Sequence, residues 1–552
     1  MRIFTLFLLS ATTIFFGACK EKKHTSQSTD GLASFSAQTL KNDVAILASD
    51  SFMGRKPFTK GEALTIDYLE KQFKSIGVEP GNGNSFFQKV PMVNILAEAA
   101  PGMEIRSGSN KFSLKAFDDY VIWTDKPDSN VRVENSELVF AGYGVVAPEH
   151  NWNDYEGIDV KGKIVMVMVN DPGYWAGDTT LFFGNTMTYY GRWTYKFEEA
   201  ARQGAKGCLV IHNTRAASYP FTVPQKNFNT SRLKLDNRGK GRQDCDVIGW
   251  ITESSAKRLF TEAGFDSSLL KKADQRGFRA VPLGLSASTS MKVKADYNTS
   301  NNVIAKISGS NRADEVIIYT AHWDHLGIGR PDASGDSINN GALDNATGTA
   351  GLLELARAFK SMKSKPERTI VFLAVTAEEQ GLLGSQYYAE NPIFPVTKTV
   401  ANINMDGLNR FGSTKDIVVI GEGQSELEDY LKEEVERSGG YISFDTHPEA
   451  GSYYRSDHFN FAKAGVPALY TRNGIDVIGK GKDYGQQLKD EYTANNYHQP
   501  SDNYDPATWT MEGAISDLKL LFLLGRRMAF EERWPQWKAN SEFKAIREKS
   551  KR

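Results

Sequence analysis

The sequence predicts an α/β fold, with a mixed, mostly parallel central sheet and helices on both faces. Three short β-branched runs, at 316–320, 369–375 and 400–403, alternate with segments of helical spacing, which is typical of an open α/β sheet. Polar residues follow each run directly. In such sheets, ligand and catalytic groups gather beyond the carboxyl ends of the strands. We therefore expect these polar residues to share one pocket.

The residues expected in this pocket lie in four polar clusters. The clusters read AHWDHLG at 321–327, NGALDNATG at 340–348, TAEEQGLLGS at 376–385 and NINMD at 402–406. One histidine and four carboxylates are expected to converge: His322, Asp344, Glu378, Glu379 and Asp406. Four carboxylates in one pocket repel each other strongly unless a cation compensates them. One histidine with several carboxylates, and no nearby cysteine, suits zinc or a similar divalent ion.

The stretch from Ala321 to Asp406 resembles metallopeptidase family M28, the di-zinc aminopeptidases. The resemblance implies a zinc aminopeptidase/phosphorylase-hydrolase-like fold and two Zn²⁺ per chain. It implies that His322 and Asp406 hold one ion, and that Asp344 bridges the two. The second ion is then held by Glu379 and by His498, which lies in the downstream sequence YHQPSD at 497–502. Glu378 is implied as the general base.

Several neighbours of these ligands are predicted to support the site. Residues two apart on an extended segment point the same way, so Asp324 is expected to reach the ring of His322 and fix it. His325 has a His-x-x-His spacing, but the resemblance assigns a ligand role only to the first histidine, so we interpret His325 as structural. Tyr453 corresponds to a tyrosine that stabilises the oxyanion in some family members. The resemblance also implies a cis peptide between Asp344 and Asn345.

A chain of 552 residues exceeds what one core usually fills, so more than one domain is expected. We predict an M28 catalytic domain at 33–101 and 296–540, followed by a polar tail at 541–552. Between these segments, at 102–295, strands shorten, glycine turns become frequent and metal-type residues vanish. This part resembles the protease-associated (PA) domain often inserted in M28 enzymes. It is either a lid that shapes substrate access or a structural insert.

The first residues of the chain predict a bacterial lipoprotein. Met1 and Arg2 precede an apolar run at 3–16 that is too short for a transmembrane helix and fits a secretory signal at 1–18. The sequence FGAC at 16–19 resembles a lipobox, which implies lipidation of Cys19, a polar tether at 19–32 and anchoring in the cell envelope, in the periplasm or at the outer membrane. The alternative is an ordinary signal peptide with an incidental cysteine.

The remaining elements and cysteines complete the expectations. Helices are predicted at 346–362, at 425–438 with a capping box from Ser425 to Glu428, and at 510–528. A helix pattern at 43–77 has one face containing Ala63, Ile66, Leu69 and Phe73, and ends at Gly77. Cys208 and Cys245 either pair or remain buried free thiols, and their spacing does not decide between the two.

These expectations lead to one function and three alternatives. We predict a zinc-dependent aminopeptidase that acts on peptides. A net charge of −1 does not favour a nucleic-acid partner, and the sequence makes no prediction of oligomeric state. The alternatives are a carboxypeptidase or dipeptidase of the same family, a glutaminyl cyclase-like enzyme, and a non-catalytic binding protein on the same fold. The sequence distinguishes poorly between an aminopeptidase and the first of these alternatives, because it contains no arginine that can be identified as binding a substrate carboxylate.

Overall fold

The computed structural model describes residues 29–176, 178–241 and 244–550. The predicted signal peptide and Cys19 lie outside the described residues. The amino-terminal elements are α1 (Ala37–Leu47), α2 (Lys60–Ile76), β1 (Glu79–Pro80) and β2 (Phe87–Ala99).

A long segment follows β2 and leads to the exceptionally long strand β13. Its strands are β3 (Gly102–Ser107), β4 (Asn110–Lys115), β5 (Tyr120–Trp123), β6 (Asn130–Phe140), β7 (Val146–Ala147), β8 (Trp152–Asn153), β9 (Ile164–Met168), β10 (Gly207–His212), β11 (Ser231–Leu235) and β12 (Val247–Thr252). Its helices are α3 (Gly173–Ala176), α4 (Trp193–Arg202), α5 (Thr214–Ala217), α6 (Thr222–Gln225), α7 (Glu253–Glu262) and α8 (Ser268–Lys272).

The carboxy-terminal half begins within β13 and contains the predicted site. Its strands are β13 (Val281–Ile307), β14 (Arg312–His322), β15 (Gly327–Ile328), β16 (Ile338–Asn339), β17 (Arg368–Val375), β18 (Thr399–Met405), β19 (Asp416–Ile420), β20 (Tyr441–Phe444) and β21 (Ala468–Asn473). Its helices are α9 (Thr347–Ser361), α10 (Leu383–Glu390), α11 (Leu427–Arg437), α12 (His458–Lys463), α13 (Lys482–Asn495), α14 (Glu512–Phe530) and α15 (Lys544–Ser550).

The predicted fold class is confirmed by the strand pairing. Strands β17, β14, β18 and β21 lie side by side and run parallel. β13 pairs antiparallel with β17 at one flank, and β19 pairs antiparallel with β21 at the other. The three predicted strands are β14, β17 and β18, which are direct neighbours with β14 in the middle. Their carboxyl ends therefore meet at one edge of the sheet.

Both faces of this sheet are buried, as the prediction of helices on both faces requires. Successive side chains of a strand point to opposite faces. On β14, Ile317 and Tyr319 pack on the side of α9 and α14, where the Tyr319 hydroxyl donates to the backbone carbonyl of Leu521 at 2.8 Å. Val316 and Ile318 belong to the core of the opposite face, together with side chains from α10 and α12. The continuous apolar runs of these strands reflect this two-sided burial.

Two of the predicted helices differ from the structure in detail. The helix pattern at 43–77 is divided: α1 ends at Leu47 and α2 begins at Lys60, with a 3₁₀ turn between them in which Met53 has φ 52°. Gly77 ends α2 with φ 80°, as predicted, but Ala63 is exposed. The capping box from Ser425 to Glu428 does not form. The Glu428 carboxylate instead accepts from the backbone N–H of Gly423 at 3.0 Å.

The segment between β2 and β13 has an apolar core separate from that of the parallel sheet. Cys208 and Cys245 are buried free thiols within it, which decides between the two alternatives for these cysteines. In the predicted polar tail, α15 packs onto the domain through Arg547, which donates to the backbone carbonyls of Val396 and Thr399 at 2.8 Å. Across the described ranges, no helix is both long and apolar enough to cross a membrane.

Candidate metal centre

The sheet brings the predicted ligands to its carboxyl edge. His322 is the last residue of β14, and Asp406 directly follows β18. Glu378 and Glu379 follow β17 after a two-residue turn. Two further ligands come from loops: Asp344 from the turn before α9, and His498 from the loop after α13.

Asp344 lies at the centre of the group. Its Oδ1 is 3.2 Å from Nε2 of His322, and its Oδ2 is 3.2 Å from Nε2 of His498. Nε2 of His322 is also 3.3 Å from Oδ1 of Asp406. Nε2 of His498 is also 3.2 Å from Oε2 of Glu379. Each oxygen of Asp344 thus faces its own histidine–carboxylate pair. Two such donor sets joined by one carboxylate suit two adjacent zinc ions.

The charges of this group are strongly coupled. Burial alone would lower the pKa of His322, but the charge of Glu378 and hydrogen bonds that His322 donates to Asp344 and Asp406 raise it well above its ordinary value. Burial raises the pKa of Glu378 well above its ordinary value, and the charges of Asp406 and Glu379 add to this effect. The carboxylates thus favour a positive charge at this position. A bound metal cation can supply that charge in place of the proton on His322.

The predicted contact of Asp324 with His322 requires a correction. Nδ1 of His322 lies 3.1 Å from the backbone carbonyl oxygen of Asp324, whereas the nearest carboxylate oxygen is 4.0 Å away. The Asp324 carboxylate instead accepts from the backbone N–H of Glu378 at 3.0 Å. Burial raises its pKa to about 8. Asp324 therefore orients the histidine through its main chain and the Glu378 loop through its side chain.

His325, predicted to be structural, contacts the second ligand set. It is fully buried, and its Nδ1 lies 2.5 Å from Oε1 of Glu379. His325, Asp344 and Glu379 each offer a ligand atom within one 4.8 Å group. The opposite oxygen of Glu379 faces His498, so the Glu379 carboxylate is held between two histidines. Burial and the negative charge of Asp344 would raise the pKa of Glu379, but the charge of His325 and the contacts with His325 and His498 lower it to about 2.

Tyr453 is not brought together with the other predicted site residues. Its ring packs against His458, with ring centroids 4.6 Å apart, and against Phe543. Its hydroxyl is buried and finds no hydrogen-bond partner within the described residues. The sequence reasoning missed Tyr470, whose hydroxyl lies 3.4 Å from Oδ2 of Asp406. The signal for it was its position near the end of β21, the next parallel strand after β18.

Hydrogen bonds from distant parts of the chain hold the loop that carries Asp344. The Asp502 carboxylate accepts from the backbone N–H groups of Leu343 at 3.1 Å and Asp344 at 3.2 Å. The buried guanidinium of Arg55 donates to the carbonyls of Asn340 at 2.6 Å and Gly341 at 2.8 Å. It also donates to the carbonyls of Leu47 and Trp323. The predicted cis peptide between Asp344 and Asn345 is present.

Two ligand segments have backbone conformations that non-glycine residues rarely adopt. Ala377, directly before Glu378, has φ 54°, and His498 itself has φ 57°. Left-handed backbone at residues other than glycine costs on the order of 1 kcal/mol and concentrates at functional sites. The ring of Tyr497 stacks on that of His498, with centroids 3.8 Å apart, and so fixes its plane.

A large cavity opens above this cluster. Its volume is about 1070 Å³, and Asp344, Glu378, Glu379, Asp406 and His498 all line it. The opposite wall comes from the segment between β2 and β13, including Trp193 and Phe197 of α4. A cavity that has carboxylate and histidine ligands on one side and aromatic walls on the other is suited to an extended organic ligand.

Comparisons with known proteins find similarity to peptidases. The sequence profile described as "Peptidase family M28" matches residues 302–523. Aminopeptidase YwaD of Bacillus subtilis (strain 168) is 28% identical over 335 residues, which cover 58% of this chain and 57% of that protein. A probable zinc metalloprotease of Pyrenophora teres f. teres (strain 0-1) is 40% identical over 104 residues, covering 19% of this chain and 22% of that protein. The chain thus spans less than two thirds of the length of these relatives.

Among solved structures, an aminopeptidase from Aneurinibacillus sp. strain AM-1 superimposes with a TM-score of 0.48 and 20% identity. The match covers 90% of this chain and 95% of that chain. All six clustered residues lie within the matched range 302–523. Four of them lie on or shortly after β14, β17 and β18, and the other two are Asp344 and His498. Residues 302–523 are therefore similar in sequence to peptidase family M28.

Proposed function

We propose that this protein is a zinc-dependent aminopeptidase that removes the N-terminal residue of peptides with two Zn²⁺ per chain. The observation that carries the proposal is the position of Asp344, whose two oxygens face two separate histidine–carboxylate pairs. The relative from Bacillus subtilis is named an aminopeptidase, and the fungal relative a probable zinc metalloprotease.

The residues present fit two zinc ions. His322 and Asp406 would hold one ion, His498 and Glu379 the other, and Asp344 would bridge them. When bound, zinc supplies Lewis-acid chemistry, which acidifies water and polarises the scissile carbonyl. Nδ1 of His325 lies 2.5 Å from the far oxygen of Glu379, which leaves the oxygen nearer His498 to face the ion.

Glu378 is the residue we propose as the general base. It lines the cavity, and its Oε2 is 4.0 Å from Nε2 of His322, farther than the nearest oxygens of Asp344 and Asp406. It is therefore the carboxylate of the cluster least engaged with a ligand nitrogen. Burial and two neighbouring carboxylates raise its pKa, which makes it a stronger proton acceptor. Its carboxylate takes the proton of the attacking water and delivers it to the leaving amine.

Two of the three alternatives are less well supported by the cluster. A glutaminyl cyclase-like enzyme with one zinc does not need the second pair formed by Glu379 and His498. A non-catalytic binding protein does not need a buried carboxylate such as Glu378 that faces the cavity without a ligand role.

The proposal is tested on the full chain loaded with zinc. We expect hydrolysis of leucine p-nitroanilide, no hydrolysis of its N-acetylated form, and loss of activity on chelation that zinc restores. Equal cleavage of the free and acetylated substrates would exclude an aminopeptidase. Hydrolysis that survives complete removal of zinc would exclude the metal mechanism.

We also infer that the chain is a lipoprotein of the cell envelope, anchored through Cys19, and that 102–295 is a PA-type insertion. The lipobox-like sequence FGAC supports the first inference. The separate apolar core between β2 and β13 supports the second.

A further inference from the structure

Five arginines line the cavity, and three of them interact through their charges in a row that ends at Asp406 of the metal centre. These three are Arg192, from the turn before α4, Arg455, from the loop before α12, and Arg472, near the end of β21. None of them forms an ion pair with a carboxylate in the part of the chain that the structure describes. Guanidinium groups in protein walls normally bind a carboxylate or another anion in a two-pronged arrangement. Three guanidinium groups without a carboxylate in an ion pair leave this wall with surplus positive charge.

Arg192 has the clearest deficit. Its Nε is buried and has no hydrogen-bond partner among the described residues. Its side chain packs beside the turn at Gly451, next to the Ala450 carbonyl that accepts from Nη2 of Arg455 at 2.6 Å. Burial, and then the positive charge of Arg455, lowers the pKa of Arg192 to about 10. Two positive groups are therefore held close together, and an anion between them would relieve both the repulsion and the missing hydrogen bond.

The metal centre does not account for this charge. Asp344, Glu378, Glu379 and Asp406 carry four negative charges, and two zinc ions would carry four positive charges. Arg472 has an explanation within the fold, because its Nε donates to the Tyr470 hydroxyl at 2.9 Å, and that hydroxyl contacts Asp406. Arg192 and Arg455 have no such link. Asp445 attracts Arg455 through its charge but forms no ion pair with it.

We propose that Arg192 and Arg455 form a subsite that binds a carboxylate of the substrate next to the scissile bond. The carboxylate comes either from an acidic side chain or from the free C-terminus of a short peptide. Arg192 belongs to the inserted segment and Arg455 to the catalytic domain, so the subsite exists only where the two meet. This inference rests on the proposed function, because it places the carboxylate beside the metal centre of an exopeptidase.

The test compares substrates that differ only in one carboxylate, on the full zinc-loaded chain. Glutamyl p-nitroanilide is paired with glutaminyl p-nitroanilide, and alanylalanine with its C-terminal amide. We expect wild-type kcat/KM to favour the charged member of one pair by about 10-fold to 100-fold, the range of a charge-assisted hydrogen bond. The pair that shows the preference identifies the source of the carboxylate.

Arg192→Met and Arg455→Met are expected to reduce that ratio by a similar factor. Arg202→Met is the matched control: Arg202 also lines the cavity and lies on α4, but Glu199 already holds its guanidinium at 2.7 Å. We expect this control to keep the wild-type ratio. The subsite is overturned if the wild type shows no preference in either pair, or if all three variants change the ratio equally. Because Arg455 is exposed, its variant remains informative if Arg192→Met folds poorly.

A binding measurement separates the subsite from the proposed function. Calorimetry with glutarate is expected to give a Kd about 10-fold higher for Arg192→Met and Arg455→Met than for wild type and Arg202→Met. An unchanged Kd in both variants overturns the subsite even if hydrolysis is normal. A changed Kd without hydrolysis of any substrate keeps the subsite and refutes the aminopeptidase.

Discussion

Glu378 and Glu379 are adjacent acidic residues with different proposed roles, and the same substitution at each distinguishes them. In Glu378→Gln, the shape is kept while the proton-accepting charge is lost. Nε2 of His322 has nearer oxygens at 3.2 Å and 3.3 Å, from Asp344 and Asp406, so the first ligand set stays complete without Glu378. We therefore expect near-normal zinc content and a folded protein.

The size of the expected loss of activity follows from the proposed role of each glutamate. General-base catalysis contributes about 10²–10⁴-fold, or about 3–5 kcal/mol in the activation barrier. We expect Glu378→Gln to lower kcat by this factor with little change in KM. In Glu379→Gln, the carboxylate 3.2 Å from His498 and 2.5 Å from His325 loses its charge. Zinc content and activity should then fall together.

The assay combines elemental analysis of zinc per chain with steady-state kinetics on both variants and the wild type. If Glu378→Gln loses zinc while Glu379→Gln keeps it, the two roles are reversed. If Glu378→Gln keeps zinc and full activity, the proposed base is wrong.

Four further predictions concern the metal, the anchor and the fold. The wild-type chain should contain two zinc ions under zinc-replete conditions, and elemental analysis that finds one or none contradicts this. His498→Ala should empty mainly one site. His325→Ala should keep both sites and weaken zinc affinity by about 10-fold to 100-fold in a chelator competition, as expected for a residue that orients a ligand. Equal losses of zinc in the two variants would show that His325 is itself a ligand. Cys19→Ser should abolish lipid labelling and release the protein from membranes, and its retention in the membrane fraction at high salt would refute the lipobox interpretation. Arg55→Met leaves four backbone carbonyls without their buried donor. It should lower the free energy of unfolding, measured by urea denaturation, by about 2–5 kcal/mol. A loss below about 0.5 kcal/mol would show that water replaces the guanidinium.

The convergence of the ligands could be predicted because it depends on a general property of parallel sheets. His322, Glu379 and Asp406 each follow an apolar run, and the neighbouring order of β17, β14 and β18 brings those ends together. The sequence could not show which atom of Asp324 faces His322, because that depends on how the chain turns after β14. The spacing rule for extended chain applies only while the strand continues, and β14 ends at His322 itself.

The arginine pair could not be predicted for a different reason. Arg192 and Arg455 lie in different parts of the sequence and come close only where the segment between β2 and β13 packs against the carboxy-terminal half of the chain. Their approach to the same turn at Ala450 and Gly451 depends on tertiary packing and not on local pattern. The same holds for Tyr470, which reads as an ordinary apolar position of a buried strand until its hydroxyl is seen beside Asp406.

The pairing of β2 with β13 has a consequence for how the inserted segment is attached. These strands form an uninterrupted antiparallel ladder from Phe87 opposite Val303 to Ala99 opposite Met291. In effect β2 and β13 form a β-hairpin, and the segment between them stands where its turn would be. The two points of attachment are therefore one strand spacing apart, about 5 Å. A two-residue Asn-Gly turn between Ala99 and Met291 would close the hairpin without the intervening segment. Any foreign domain whose ends lie that close together could be inserted at the same place without disturbing the register of the ladder.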